Sequence, residues 1–101
     1  MLLNTEELVV DACVCCGVLV DAVIDPGAVV SIMSPDFAKK SKVNVVPYTG
    51  PPIRLGNVVN CTPEGIAGAH VVRSSGHVAE GQVLIVDLGV DLLLGNDFLL
   101  T

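Results

Sequence analysis

Two apolar runs open the chain, Leu8-Val9-Val10-Asp11-Ala12-Cys13-Val14-Cys15 and Val18-Leu19-Val20-Asp21-Ala22-Val23-Ile24, with polar residues set among them. Runs of this length and β-branched content predict strands, and the Cys16-Gly17 pair between them predicts a hairpin turn. The second run leads straight into Asp25-Pro26-Gly27, a turn that presents one carboxylate. A short helix is predicted over about 35–41: Ser34 is a good N-cap, Pro35 suits the first helical position and Asp36 the positive helix end. Lys39, Lys40 and Lys42 suit its negative end.

Pro47, Gly50, Pro51 and Pro52 then mark a loop. Ile53-Arg54-Leu55 and the stretch from Ile66 to Val72 flank a region rich in Gly, Asn and Pro, which predicts a hairpin over 53 to 66 that Gly56 and Gly65 would let bend. Val71-Val72-Arg73 and Val83-Leu84-Ile85-Val86 read as strands on either side of a Ser74-Ser75-Gly76 turn. Leu92-Leu93-Leu94-Gly95 leads into a second helix capped at Asn96 or Asp97. Each half runs strand, tight loop, helix, a weak internal duplication without a strict period.

The chain has 101 residues, 51% of them hydrophobic. That size fits a single domain over residues 1–101, burying about 60–65% of its unfolded surface. The aromatics are Phe37, Tyr48 and Phe98, so the core is aliphatic and the fold class expected is all-β. Five basic against eleven acidic residues give a net charge of −6, the wrong sign for a nucleic-acid surface. No apolar run reaches the roughly 18–20 residues of a membrane span. Met1 to Glu7 lacks the basic segment and long apolar core of a signal peptide, and the expectation is a soluble cytoplasmic protein.

Cys13, Cys15 and Cys16 crowd together, and at most one of them could reach Cys61, so reduced thiols that pack as small apolar residues are expected. Without a paired Cys-x-x-Cys spacing, no metal site is expected. Asp21, Asp87, Asp91 and Asp97 read as solvated strand-end, turn or helix-start carboxylates, and His70 and His77 as surface residues of a hairpin. No base stands at a motif spacing beside a Ser or Cys nucleophile.

Taken alone, Asp25 is an ordinary turn residue before Pro-Gly. Its surroundings change that reading. The segment Val18 to Ala28, then Ser31-Ile32-Met33-Ser34-Pro35-Asp36-Phe37, and finally Leu92-Leu93-Leu94-Gly95-Asn96-Asp97-Phe98-Leu99 resemble, in order and register, the retropepsin-like aspartic proteases. The resemblance covers nearly the whole chain. It implies a small closed-barrel-like fold with one or two short helices, and an endopeptidase acting on a peptide or polyprotein, within retroelement particles or the cytoplasm. Asp25 would be catalytic, and Gly27, Ala28 and the flap residues Gly56, Asn57 and Val58 would contact substrate. No cofactor is implied. Because one chain offers one such loop, the second carboxylate would come from Asp25 of a homodimer partner, the two sharing one proton.

Two departures qualify the resemblance. The family's Asp-Thr-Gly or Asp-Ser-Gly triplet reads Asp25-Pro26-Gly27 here, and proline has neither the hydroxyl nor the backbone N–H that interlock the two loops across the dimer. The sequence also stops at Leu99-Leu100-Thr101, inside the closing helix, before the terminal strand that retroviral members contribute to the dimer. An alternative expectation is therefore a catalytically impaired protease fold that serves as an interaction or assembly module.

Overall fold

The computed structural model describes residues 9–55 and 58–101. The chain opens with strands β1 (Val9–Cys15) and β2 (Val18–Ile24), paired antiparallel from Val9 opposite Ile24 to Cys15 opposite Val18. Cys16 and Gly17, with φ of 51° and 82°, make the doubly left-handed turn that suits the twist of a two-residue hairpin. After the Asp25 loop come β3 (Ile32–Met33), α1 (Pro35–Ser41) and β4 (Val45–Pro47). A separate hairpin follows, β5 (Ile53–Leu55) with β6 (Val58–Cys61). Then come β7 (Gly65–Val72), β8 (Val78–Ile85), β9 (Leu92–Leu94) and α2 (Asn96–Leu99).

The main sheet runs β1-β2-β9-β3-β8-β7, and β7 returns to β1 through Val14 opposite Val72 and Cys15 opposite Val71. Six strands thus close a barrel, the closed-barrel-like all-β fold that the resemblance implies. The stretch of the β7 edge that β1 leaves open is taken by β4, with Val45 opposite Ala67 and Pro47 opposite Gly65. A Cβ on Gly65 would stand 2.5 Å from Val45 Cγ1 and 2.8 Å from the Val46 carbonyl oxygen, so glycine lets β4 lie close on β7.

Strands at the centre of the barrel are buried on both faces. Leu92 and Leu94 point into one apolar cluster, with Met33, Phe37, Val83, Ile85 and Phe98; Leu93 points into a second, with Val23, Ala28, Ile32, Leu84 and Val86. That two-sided burial explains an unbroken Leu-Leu-Leu run where a half-buried strand would alternate. Cys13, Cys15, Ala67, Ala69 and Ala79 keep the first cluster narrow enough for Phe37 and Phe98 to fill it.

Pairings map one half of the chain on the other. β2 runs parallel to β9, with Ile24 opposite Leu94, and β8 runs parallel to β3, with Ile85 opposite Met33. The Asp25 N–H donates to the Leu94 carbonyl at 3.0 Å, and the Val86 N–H to the Met33 carbonyl at 3.0 Å. Equivalent positions, 24 and 85 or 33 and 94, stand 61 residues apart, and a pseudo-two-fold passes between the paired Ile32 and Leu93.

Several expectations need correction. The hairpin spans 53 to 61, not 53 to 66, because Ile66 pairs with Leu84 and Val46 as part of β7. Gly65 accordingly serves packing in β7 and is no hinge of the hairpin. Gly56 lies outside the described residues. β8 begins at Val78, five residues before the apolar run that predicted it, since β7 supplies partners as far as Val72 opposite Val78. β3 and β4 were not anticipated. The α1 boundaries match the prediction, and the Ser34 hydroxyl accepts the Phe37 N–H at 3.0 Å.

Among the described residues two pairs join β1 to β7, and side chains reinforce the closure. Asp11 on β1 accepts the Arg73 Nε at 2.8 Å and the Ser74 hydroxyl and N–H in the β7–β8 turn. The Arg73 and Ser74 hydrogen bonds hold the Asp11 carboxyl at about 2, well below its ordinary 3.8. A depressed carboxyl stabilises the fold above its unfolded value and loses that contribution as pH falls through the folded one. Stability should therefore decline between about pH 4 and pH 2, more steeply in the parent than in Asp11→Asn. Both partners keep some solvent access (26% and 15%), so Asp11→Asn should cost about 1 kcal/mol at pH 7 by urea denaturation. Burial pushes the thiols of Cys13 and Cys15 up to about 11 and about 12. In a timed alkylation at pH 7.5 (mass-mapped), those two should resist until urea opens the barrel, while the half-buried Cys16 and Cys61 react first.

Candidate active site

Asp25 sits where β2 ends, its N–H fixed by the Leu94 carbonyl and its carbonyl accepting the Ala28 N–H at 3.0 Å. Residues 25 to 28 thus form a β-turn with Pro26 second, where φ near −65° is favoured. Gly27 lacks the positive φ of a type II turn, and its N–H donates to Asp25 Oδ1 at 3.0 Å. A Cβ on Gly27 would stand 3.2 Å from that same oxygen. The turn therefore aims the half-buried carboxylate and leaves Pro26 and Gly27 exposed beside it.

The second half of the chain holds this loop from below. The Asn96 Nδ2 donates to the Pro26 carbonyl at 2.8 Å, and the Asn96 N–H to the Ala28 carbonyl at 2.8 Å. Ser31, fully buried, donates its hydroxyl to Asp97 Oδ1 at 2.6 Å and its N–H to Asp97 Oδ2 at 3.1 Å, and accepts the Gly95 N–H at 2.9 Å. A Cβ on Gly95 would lie 2.6 Å from the Ala28 carbonyl oxygen and 2.7 Å from that of Val30. Glycine is thus the residue that lets α2 start directly against the Asp25 loop.

Here too expectations change. Asp97 is no merely solvated carboxylate, for it satisfies a buried serine. The helix N-cap is Gly95, one residue before Asn96, and glycine has no side chain to make a cap bond; the Asn96 and Asp97 side chains reach the Pro26 carbonyl and Ser31 instead. Asp91 accepts from the Ser34 hydroxyl at 3.3 Å. Ala28 has its methyl group buried in the second apolar cluster, so it supports the loop from within. Gly56 and Asn57 lie outside the described residues, and Val58 is described only as the first residue of β6, opposite Leu55. Asn96 was missed as a loop partner; its spacing from Pro26 carries no signal until β2 and β9 are known to pair. His70 and His77 are exposed, His70 beside Glu80 at 2.9 Å. Among the described residues no group of three His, Cys, Asp or Glu is arranged to hold a metal ion.

At the position equivalent to Asp25 the second half carries Val86, buried at 6% exposure. Its loop has the neighbouring Asp87, whose carboxylate accepts the Gly89 N–H at 3.3 Å and is exposed. Among the described residues, no carboxylate therefore occupies the position that the pseudo-two-fold pairs with Asp25.

Sequence comparison finds no matching family model and no significantly matching curated protein. Structure comparison is decisive. The chain superimposes on the EIAV protease, solved in complex with the inhibitor HBY-793, with a TM-score of 0.71 at 19% identity, over 96% of this chain and 89% of that one. The retroviral protease-like domain of Ddi1 from Leishmania major gives a TM-score of 0.57 at 22% identity, over 89% and 73%. This is the retropepsin fold. Within it, the Ser31–Asp97 bond and the bare Cα of Gly95 support the Asp25 loop. Gly95→Ala should cost about 2 kcal/mol or more in urea denaturation, because backbone must shift to admit the methyl group. Ser31→Ala and Asp97→Asn should be non-additive in a double-mutant cycle by at least about 0.5 kcal/mol.

Proposed function

We propose that this chain is one subunit of an aspartic endopeptidase of retropepsin type, assembled as a homodimer around two copies of Asp25. The observation that carries the reading is the single Asp25 turn, with its carboxylate oriented by the Gly27 N–H, opposed by a buried valine at the pseudo-equivalent position. Two carboxylates at close range share one proton. The ionised one would take a proton from water, whose oxygen attacks the scissile carbonyl carbon, while the protonated one gives its proton to the carbonyl oxygen. Collapse of the tetrahedral species would then return a proton to the departing amine. Supplying the second Asp25 from a second copy places the cleft on a two-fold axis.

Exposed apolar side chains fit such an arrangement. Val29, beside the Asp25 turn, is 78% exposed, and Leu100, just after α2, 79%. Val30, Tyr48, Ile53, Ile66, Leu88 and Val90 pack partly buried against the cluster that contains Ala28, so the substrate class that suits the surface between loop and hairpin is a peptide with apolar side chains around the scissile bond. Four free thiols fit a reducing compartment such as the cytoplasm.

Pro26 favours a second reading, a fold that binds or assembles without cleaving. An exposed proline gives a partner loop neither hydroxyl nor N–H. Two lost symmetric hydrogen bonds at about 0.5–1.5 kcal/mol each correspond to association weaker by a factor between roughly 5 and 150. Cleavage of a peptide library between pH 4 and 7, with sedimentation on the same samples, separates the readings. The endopeptidase reading expects cleavage that Asp25→Asn abolishes, and tighter dimers with faster cleavage in Pro26→Thr. A silent parent together with a silent Pro26→Thr that dimerises would overturn it in favour of the binding module.

A further inference from the structure

Away from the Asp25 loop, a cavity of about 290 Å³ opens between α1 and β4. Pro35, Ala38, Val43, Val45 and Ile85 form its apolar wall, and Lys39 and Glu64 stand on its rim. β4 is the last strand of its sheet and, among the described residues, is paired on one side, with β7. Its Val45 and Val46 are 42% and 45% exposed and its third residue, Pro47, has no N–H, so a short apolar edge whose donors are Val45 and Val46 adjoins an apolar hole.

The charge beside it is unlike the rest of the molecule. In a chain of net charge −6, three of the five basic residues, Lys39, Lys40 and Lys42, fall within four positions of α1 and its C-cap, and all three are exposed. The ion pairs among the described residues, Arg73–Asp11 and His70–Glu80, use none of them. Asp36 lies a turn earlier on the helix and Glu64 across the rim, so attraction for an anion is confined to the C-terminal end of α1.

We propose that this groove docks an extended acidic segment of a partner protein. The segment adds to the β4 edge, places one apolar side chain in the cavity and sets its carboxylates against Lys39, Lys40 and Lys42. Strand addition would use the short row of main-chain groups that Val45, Val46 and the Pro47 carbonyl offer, and the hole and the lysines would supply the remaining affinity and the selectivity. An apolar cavity beside a strand edge fits a peptide better than a nucleic acid. The site shares no residue with the Asp25 loop and stands whether or not the chain cleaves peptides.

Fluorescence anisotropy with a labelled Glu-Glu-Leu-Val-Glu-Glu peptide, and with its Lys-Lys-Leu-Val-Lys-Lys counterpart, tests the proposal on the full chain. Saturable binding of the acidic peptide alone is expected, weakening with salt. It should fall roughly tenfold in the Lys39→Glu/Lys42→Glu variant, rise a few-fold in Glu64→Gln and persist in Asp25→Asn. Both rim variants change exposed side chains, so folding should survive them. Absence of saturable binding overturns the proposal, as do equal binding of the basic peptide, indifference to the lysine changes, displacement by a statine-type cleft inhibitor, or tighter binding of a short thymidine oligonucleotide.

Discussion

The Ser31 hydroxyl is the point on which the geometry around Asp25 depends. It is fully buried, and a buried hydroxyl without partners costs about 1–3 kcal/mol. Here it donates to Asp97 and accepts from Gly95, while the Ser31 N–H takes the other Asp97 oxygen. The first half of the chain is thereby tied to the start of α2 in the second. That tie sets the depth at which α2 sits, and two consequences follow at once: position 95 has no room for a Cβ, and Asn96 comes within reach of the Pro26 and Ala28 carbonyls.

The pseudo-two-fold shows what the two halves share and where they part. Strand pairings, the paired Asp25 and Val86 amide bonds and the buried Phe37 and Phe98 are common to both. Polar chemistry is not. Ser34 caps α1 with its own hydroxyl, whereas its equivalent, Gly95, caps α2 without a side chain and yields the space to the Asp25 loop. Asp25 itself is answered by a buried valine. The scaffold is symmetric and the chemistry one-sided.

Much of this was legible in the residues because local signals and tertiary context agree. Cys16-Gly17, Ser34-Pro35 and Asp25-Pro26-Gly27 each carry a turn or cap signal strong enough to act alone, and the structure places all three as expected. Elements without such signals were missed: β3 is two residues long, β4 contains Pro47, and the polar start of β8 is a strand because β7 offers it a ladder. The roles of Asn96 and Asp97 were illegible for a different reason. Their partners lie some 70 residues away in sequence and meet them only through the parallel pairing of β2 with β9, a relation no local pattern encodes.

Pro26 leaves the turn that presents Asp25 intact. The turn draws on the Asp25 carbonyl, the Ala28 N–H and the Gly27 N–H, and on nothing that proline lacks. The Pro26 carbonyl, which proline keeps, is the group that Asn96 holds. Within one chain the substitution is therefore neutral to the placement of Asp25, and the fixed φ of the ring favours the turn it occupies. The Leu94 carbonyl, the Gly27 and Ala28 N–H groups and the Asn96 side chain fix the Asp25 turn without calling on an N–H or a hydroxyl at position 26, so the placement of the carboxylate is set by its neighbours and not by the residue beside it.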